Sequence, residues 1–161
     1  MNECVFSTDR KYRYLLIHRW EPEKPERSAM WIGLNPSIAD EHRLDSTLTR
    51  IRSFSRALGF NTFHMTNLFA LVSTNLKAMT RHPEPIGEDN DSYIGRIAVQ
   101  QPTIFVAWGA HGSHRDRDQQ VLDLLAKAGR TDLLCFGINK QGSPKHPLHL
   151  AGNLKPVPYR P

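Results

Sequence analysis

Four short apolar runs constrain this chain more than any other feature: AMWIGL (Ala29 to Leu34), TFHMTNLFAL (Thr62 to Leu71), PTIFVAWGA (Pro102 to Ala110) and DLLCFGI (Asp132 to Ile138). Each has the length and composition of a strand buried on both faces. Stretches of helical periodicity separate them. In STLTRIRSFSRALGF, Leu48, Ile51, Phe54 and Leu58 recur at helical spacing, with Asp45 or Ser46 placed to cap the start and Gly59 to stop the end. EDNDSYIGRIAVQQ turns Ile94, Ile97 and Ala98 inward, and DRDQQVLDLLAKAG does the same with Val121, Leu122, Leu125 and Ala128 before Gly129. Strands that alternate with helices are joined by right-handed crossovers into a parallel sheet covered on both faces. The prediction is a three-layer α/β/α sandwich with a central, mostly parallel sheet of about four strands. VFS and YRYLLIHRW precede the Pro-rich loop EPEKPERS and add an antiparallel hairpin or edge strand. The expected organisation is one domain over 1–161: a β extension at 1–28, the α/β core at 29–150 and a tail at 151–161.

A chain of 161 residues with 39% hydrophobic content suits one such core. No run approaches the roughly 18 apolar residues of a membrane span. The start, MNECVFSTDRKYRYLLIHRW, scatters charges among its apolar residues, unlike a secretory signal. A soluble cytoplasmic protein is expected, with no membrane partner and a monomer favoured. Two cysteines, Cys4 and Cys135, are too few for a disulfide framework, a four-cysteine zinc site or an iron–sulfur cluster. Lys and Arg outnumber Asp and Glu by 21 to 16, a net charge of +5 that permits a polyanionic partner such as nucleic acid.

In parallel α/β sheets ligands bind beyond the carboxyl ends of the strands. Those ends carry Gly33-Leu34-Asn35-Pro36-Ser37, then Thr66-Asn67, then Trp108-Gly109-Ala110-His111-Gly112 and, after a short loop, GSPKHPLHL (Gly142 to Leu150). Polar residues from all four are expected to converge on one sheet edge.

The order GLNPS, TNL, AWGAHG, HPLHL resembles the uracil-DNA glycosylase superfamily, especially its mismatch-specific branch. Gly33-Leu34-Asn35-Pro36 is similar to that family's G-x-[ND]-P motif in its Asn form, Asn67 to the Asn after the next strand, Trp108 to His111 to its WG strand end, and His146-Pro147-x-x-Leu150 to its H-P-S-P-L loop. Leu148 and His149 stand where that loop has Ser and Pro. The likeness spans about Trp31 to Leu150. The chain resembles more closely still a bacterial family, domain of unknown function 1643, through the same N-P-S and S-P-[KR]-H-P-L signatures.

The glycosylase resemblance implies hydrolysis of the N-glycosidic bond of an extruded, damaged or modified base, with DNA or a nucleotide as partner and neither cofactor nor metal. His146, fixed by Pro144 and Pro147, would donate to the departing base as charge develops on it. Asn67 would read the base edge, since an amide offers both donor and acceptor. Asn35 would place a water but cannot take its proton, so Asp40 and Asp45 are the candidates for water activation. Leu150 would fill the gap left by the extruded base. Ser37, Ser143 and Lys145 would hold phosphates, and Gly33, Leu34, Pro36, Trp108 and His111 would complete the substrate-binding set. Phe69 and His42 are candidates for stacking on the base.

Plainer readings stand beside these. Asn35-Pro36 suits a simple turn, Asn67 could tie off backbone groups, and Trp108 and Cys135 suit the core. The Arg115-Asp116-Arg117-Asp118 run reads as a solvated helix start. Two alternative functions remain open. One is a non-catalytic nucleobase, nucleotide or DNA binder of the same fold. The other is a metal-dependent hydrolase built on His111-x-x-His114 and His146-x-x-His149.

Overall fold

A computed structural model describes residues 2–160. Its centre is one seven-stranded sheet in the order β1-β2-β4-β3-β5-β6-β7. The strands are β1 (Glu3–Phe6), β2 (Arg13–Arg19), β3 (Ser28–Gly33), β4 (Thr62–Asn67), β5 (Ile104–Val106), β6 (Leu133–Cys135) and β7 (Val157–Pro158). Pairing is parallel from β4 through β3 and β5 to β6, and antiparallel at β1–β2, β2–β4 and β6–β7. The sheet is therefore wider than the sequence pattern predicts. Val157–Pro158, in the expected tail, adds an edge strand. Four helices complete the fold: α1 (Ser46–Ala57), α2 (Leu76–Arg81), α3 (Asn90–Gln100) and α4 (Arg117–Lys127). The six-residue α2 has no counterpart in the sequence reading, because it turns a single apolar residue, Met79, inward.

Alternation along β3 divides the interior in two. Ala29 and Trp31 pack with Phe63, Phe105 and Leu48, Ile51 and Phe54 of α1. Met30 and Ile32 pack with Ile94 and Ile97 of α3 and Val121 and Leu125 of α4. Asp45 caps α1 by accepting the Leu48 N–H at 2.9 Å.

Trp108 lies in the core against Leu68 and Tyr159, because the chain turns at Gly109 immediately after it. The solvated reading of the Arg115 to Asp118 run fails at Arg117. This side chain is only 1% exposed; its Nε donates to the Leu68 carbonyl at 2.8 Å and its Nη2 pairs with Asp91. Arg115 and Asp116 adopt positive φ (56° and 54°), which turns the chain so that Arg117 points inward.

Among the described residues, no helix is long and apolar enough to cross a membrane.

Candidate functional site

The register of β3 on β4 places Gly33 beside Asn67 at the carboxyl edge of the sheet. Beyond it the two chains stay in step: Leu68 N–H donates to the Gly33 carbonyl and Phe69 N–H to the Leu34 carbonyl, both at 2.9 Å. A Cβ on Gly33 would lie 2.9 Å from Asn67 Nδ2 and 2.5 Å from Met65 Cε, so only glycine leaves room for that amide. The loop after β6 folds back to the same edge. Gly109 N–H donates to the Pro144 carbonyl and Lys145 N–H to the Gly137 carbonyl, both at 2.9 Å. Pro144 and Pro147 are buried and the loop is stiff, so His146 is held at the edge.

These elements enclose a cleft of about 40 Å³, or about 360 Å³ with its open mouth. Gly33, Leu34, Asn35, Pro36, Ser37, Asp45, Asn67 and His146 line it, together with Arg13 from β2. The inner space suits a few ordered waters, at roughly 10–15 Å³ each. It lies well below the ~300 Å³ of an ordinary small-molecule pocket.

Asn35 spends its amide protons on the protein. Nδ2 donates to the carbonyls of Pro36 (3.1 Å), Leu71 (3.4 Å) and Ser73 (2.9 Å), clasping the β3 and β4 loops together. Its Oδ1 accepts no hydrogen bond among the described residues. Asn67 is 3% exposed, and its Oδ1 is buried with no partner, a vacancy that costs free energy unless a ligand or water fills it.

His146 Nδ1 accepts the Leu148 N–H at 3.3 Å. Burial, then the neighbouring His149, lower its pKa below the ordinary value, against a smaller opposing pull from Asp45. The ring is thus neutral near pH 7 with its proton on Nε2, a fixed hydrogen-bond donor.

Of the two carboxylates considered for water activation, Asp45 lines the cleft and Asp40 does not. Asp40 instead accepts the N–H groups of His42 and Arg43, and these bonds hold its carboxyl below the usual range.

Several expected site residues lie elsewhere. Leu150 is buried against α1 in the Trp31 cluster, with its carbonyl taken by Arg50, so it presents no wedge; Leu148 is the exposed leucine of the loop. Ser143 is buried and accepts from Asn139 Nδ2 at 2.9 Å, closing its own turn. Lys145 is exposed and lays its methylenes on Gly137, while His111 sits exposed on the 3-10 turn Ala110–Asp116. Of the two stacking candidates, Phe69 is buried in the core and His42 is exposed; neither lines the cleft. Among the described residues no three His, Cys, Asp or Glu side chains gather as metal ligands, so the two histidine pairs do not share a centre.

The sequence reading missed Arg13. It is 2% exposed, donates once, from Nη1 to the Ala39 carbonyl at 3.0 Å, and its Nε is buried without an acceptor. Burial pulls its pKa down, against smaller opposing effects of Cys4 and Asp45. A guanidinium nevertheless stays charged inside a protein.

The model of a family described as a protein of unknown function, DUF1643, matches residues 13–148. This chain belongs to the DUF1643 family. No curated protein and no solved structure matches it. The span matched in this DUF1643 chain begins at Arg13 and takes in every residue that lines the cleft, through His146. Leu150 lies outside it.

Proposed function

We propose that this DUF1643 protein hydrolyses the N-glycosidic bond of a nucleobase in DNA or a nucleotide, on a three-layer sandwich of the uracil-DNA glycosylase kind with a parallel strand core. The observation that carries the reading is the pairing of two groups on one cleft. His146 offers a neutral Nε2–H donor, and Asn67 offers a buried acceptor with no partner. Departure of a base needs a donor aimed at the oxygen where charge builds, and a reader for the base edge. A net charge of +5 suits a polyanionic partner.

In this reaction a water held by Asn35 Oδ1 attacks the anomeric carbon and gives its proton to the Asp45 carboxylate. The carbon–nitrogen bond breaks, and its electron pair leaves with the base. His146 Nε2–H stabilises the base anion, which then takes up a proton from solvent. The products are the free base and a sugar bearing a new hydroxyl. A base enters only when the loop between Pro36 and Asp45 opens, since the closed cleft holds about 40 Å³. That loop is tied down by Arg10 on Glu41, and by Asn2 on the carbonyls of Asp40 (2.6 Å) and Arg43 (3.2 Å).

The test is base release from a panel of oligonucleotides and free nucleotides carrying normal, deaminated and modified bases. His146→Ala and Asp45→Asn are each expected to lower the rate by about 10²–10³-fold. An unchanged rate in His146→Ala removes the role assigned to it, and no release from any substrate removes the reaction. The Asn35 clasp favours a second reading, binding without cleavage, because its amide protons are already engaged by the fold. That reading predicts retained ligand with no product.

A further inference from the structure

Arg13 is a buried cation without a counter-ion. No carboxylate lies within salt-bridge distance of it among the described residues, although Asp45 on the same cleft wall attracts it through space. Cys4 offers no thiolate, because burial raises its pKa to about 11. The one hydrogen bond of the guanidinium runs from Nη1 to the Ala39 carbonyl, which leaves the Nε side of the fork with no acceptor. That edge presents two parallel N–H donors, the geometry that takes two oxygens of a phosphate or carboxylate. Leaving such a charge buried and unmatched is costly, so an anion that fills the place binds with that cost relieved. The vacant Asn67 Oδ1 lies in the same cleft and offers an acceptor to the ligand's own N–H.

We propose that Arg13 receives the terminal phosphate of the ligand, and that the substrate class is a free nucleoside monophosphate rather than a base within a polymer. This rests on the glycosidic reading for the nucleoside part and on Arg13 alone for the phosphate. Size carries the choice. An inner space of about 40 Å³ admits the oxygens of an anionic head group in place of ordered waters. An internal phosphodiester has two of its oxygens tied to neighbouring sugars and cannot be drawn into so small a recess beneath the Pro36 to Asp45 loop. A terminal phosphate can.

The experiment measures thermal shift and calorimetric affinity for inorganic phosphate, a panel of nucleoside 5′-monophosphates, the matching nucleosides, and a single-stranded oligonucleotide lacking a terminal phosphate. Wild type runs beside Arg13→Met and Arg13→Lys, with base release scored in the same samples. Phosphate and at least one monophosphate are expected to bind wild type. Arg13→Met should weaken both by roughly 10- to 100-fold while leaving the nucleoside within about twofold. Arg13→Lys, which keeps the charge and loses the fork, should recover only part and serves alone if the Met variant does not fold. Three results would overturn the proposal: no response of wild type to phosphate or any monophosphate, binding that survives in Arg13→Met, or an unphosphorylated oligonucleotide that binds as tightly as the monophosphate. Phosphate binding that depends on Arg13, with no base released, keeps the anion site and sinks the hydrolysis. Base release from the oligonucleotide that ignores Arg13→Met does the reverse.

Discussion

Arg13 and Arg117 are both almost fully buried, at 2% and 1% exposure, and their surroundings are opposite. Arg117 is satisfied: Nε bonds the Leu68 carbonyl, Nη2 meets Asp91, and Nη1 lies 3.5 Å from Gln120 Oε1. It ties α4 to the β4 loop and to α3. Arg13 has one carbonyl, no carboxylate and an idle Nε, and it opens onto a cleft. A buried charge that the fold itself completes is a fastener. One that the fold leaves incomplete stores binding free energy for a partner outside the chain.

The contrast is best broken by substitution. Arg117→Leu should have the largest effect, a loss of about 2–4 kcal/mol, because two charge-assisted bonds disappear with the side chain. Thermal melting would register it as a drop in Tm of roughly 5–15 °C. Gly33→Ala comes next. The new Cβ presses on Met65 and Asn67, with an expected cost of about 1–3 kcal/mol and a loss of ligand affinity larger than that cost explains. Arg13→Met should be neutral or stabilising by up to ~2 kcal/mol, since an apolar chain of similar length removes an unpaired buried charge. A loss of more than ~2 kcal/mol in Arg13→Met would erase the difference between the two arginines.

The smallest effect concerns pH and sharpens the cleft side of the comparison. The pKa of His146 in the folded protein lies below the ordinary 6.5. Below pH 6.5 the unfolded chain therefore binds a proton that the native ring refuses. Stability falls as pH drops from 6.5 toward the folded pKa and levels off beneath it. His18, with a pKa pushed down to about 4 chiefly by burial, acts in the same sense between pH 6.5 and about 4. Tm measured from pH 7.5 to 4.5 should fall in wild type and fall less in His146→Gln. Equal slopes would show that the Leu148 N–H does not depend on a neutral ring.

Much of this fold was legible because periodicity is a property of many residues at once. The parallel strands and α1, α3 and α4 each carry several apolar residues at one spacing. The pieces that escaped are short. Helix α2 offers one inward residue, and β7 is a Val-Pro pair that no pattern marks as sheet. At the site, Asn35, Asn67 and His146 were readable as residues that follow strand ends, and Asp45 as a helix cap and a candidate for water activation; all four line one cleft. Leu150 and Ser143 were matched by motif spacing, which cannot tell a side chain that faces solvent from one that closes a turn. Arg13 was hidden by its setting in YRYLLI, which reads as an antiparallel hairpin or edge strand away from the ends of the parallel strands. Strand β2 instead lies between β1 and β4, and the loop from Pro36 to Asp45 roofs it. Reading Tyr12 and Tyr14 as one face, stacked toward Tyr93, would have put Arg13 on the other.

The C-terminal strand has a consequence for the order of events on the ribosome. Tyr159 sits edge-on to Trp108, and its hydroxyl donates to the Gly142 carbonyl at 3.0 Å, bracing the loop that carries His146. Arg13, by contrast, has left the exit tunnel long before. Every residue that lines the cleft is therefore synthesised before Tyr159, which braces the His146 loop from outside it.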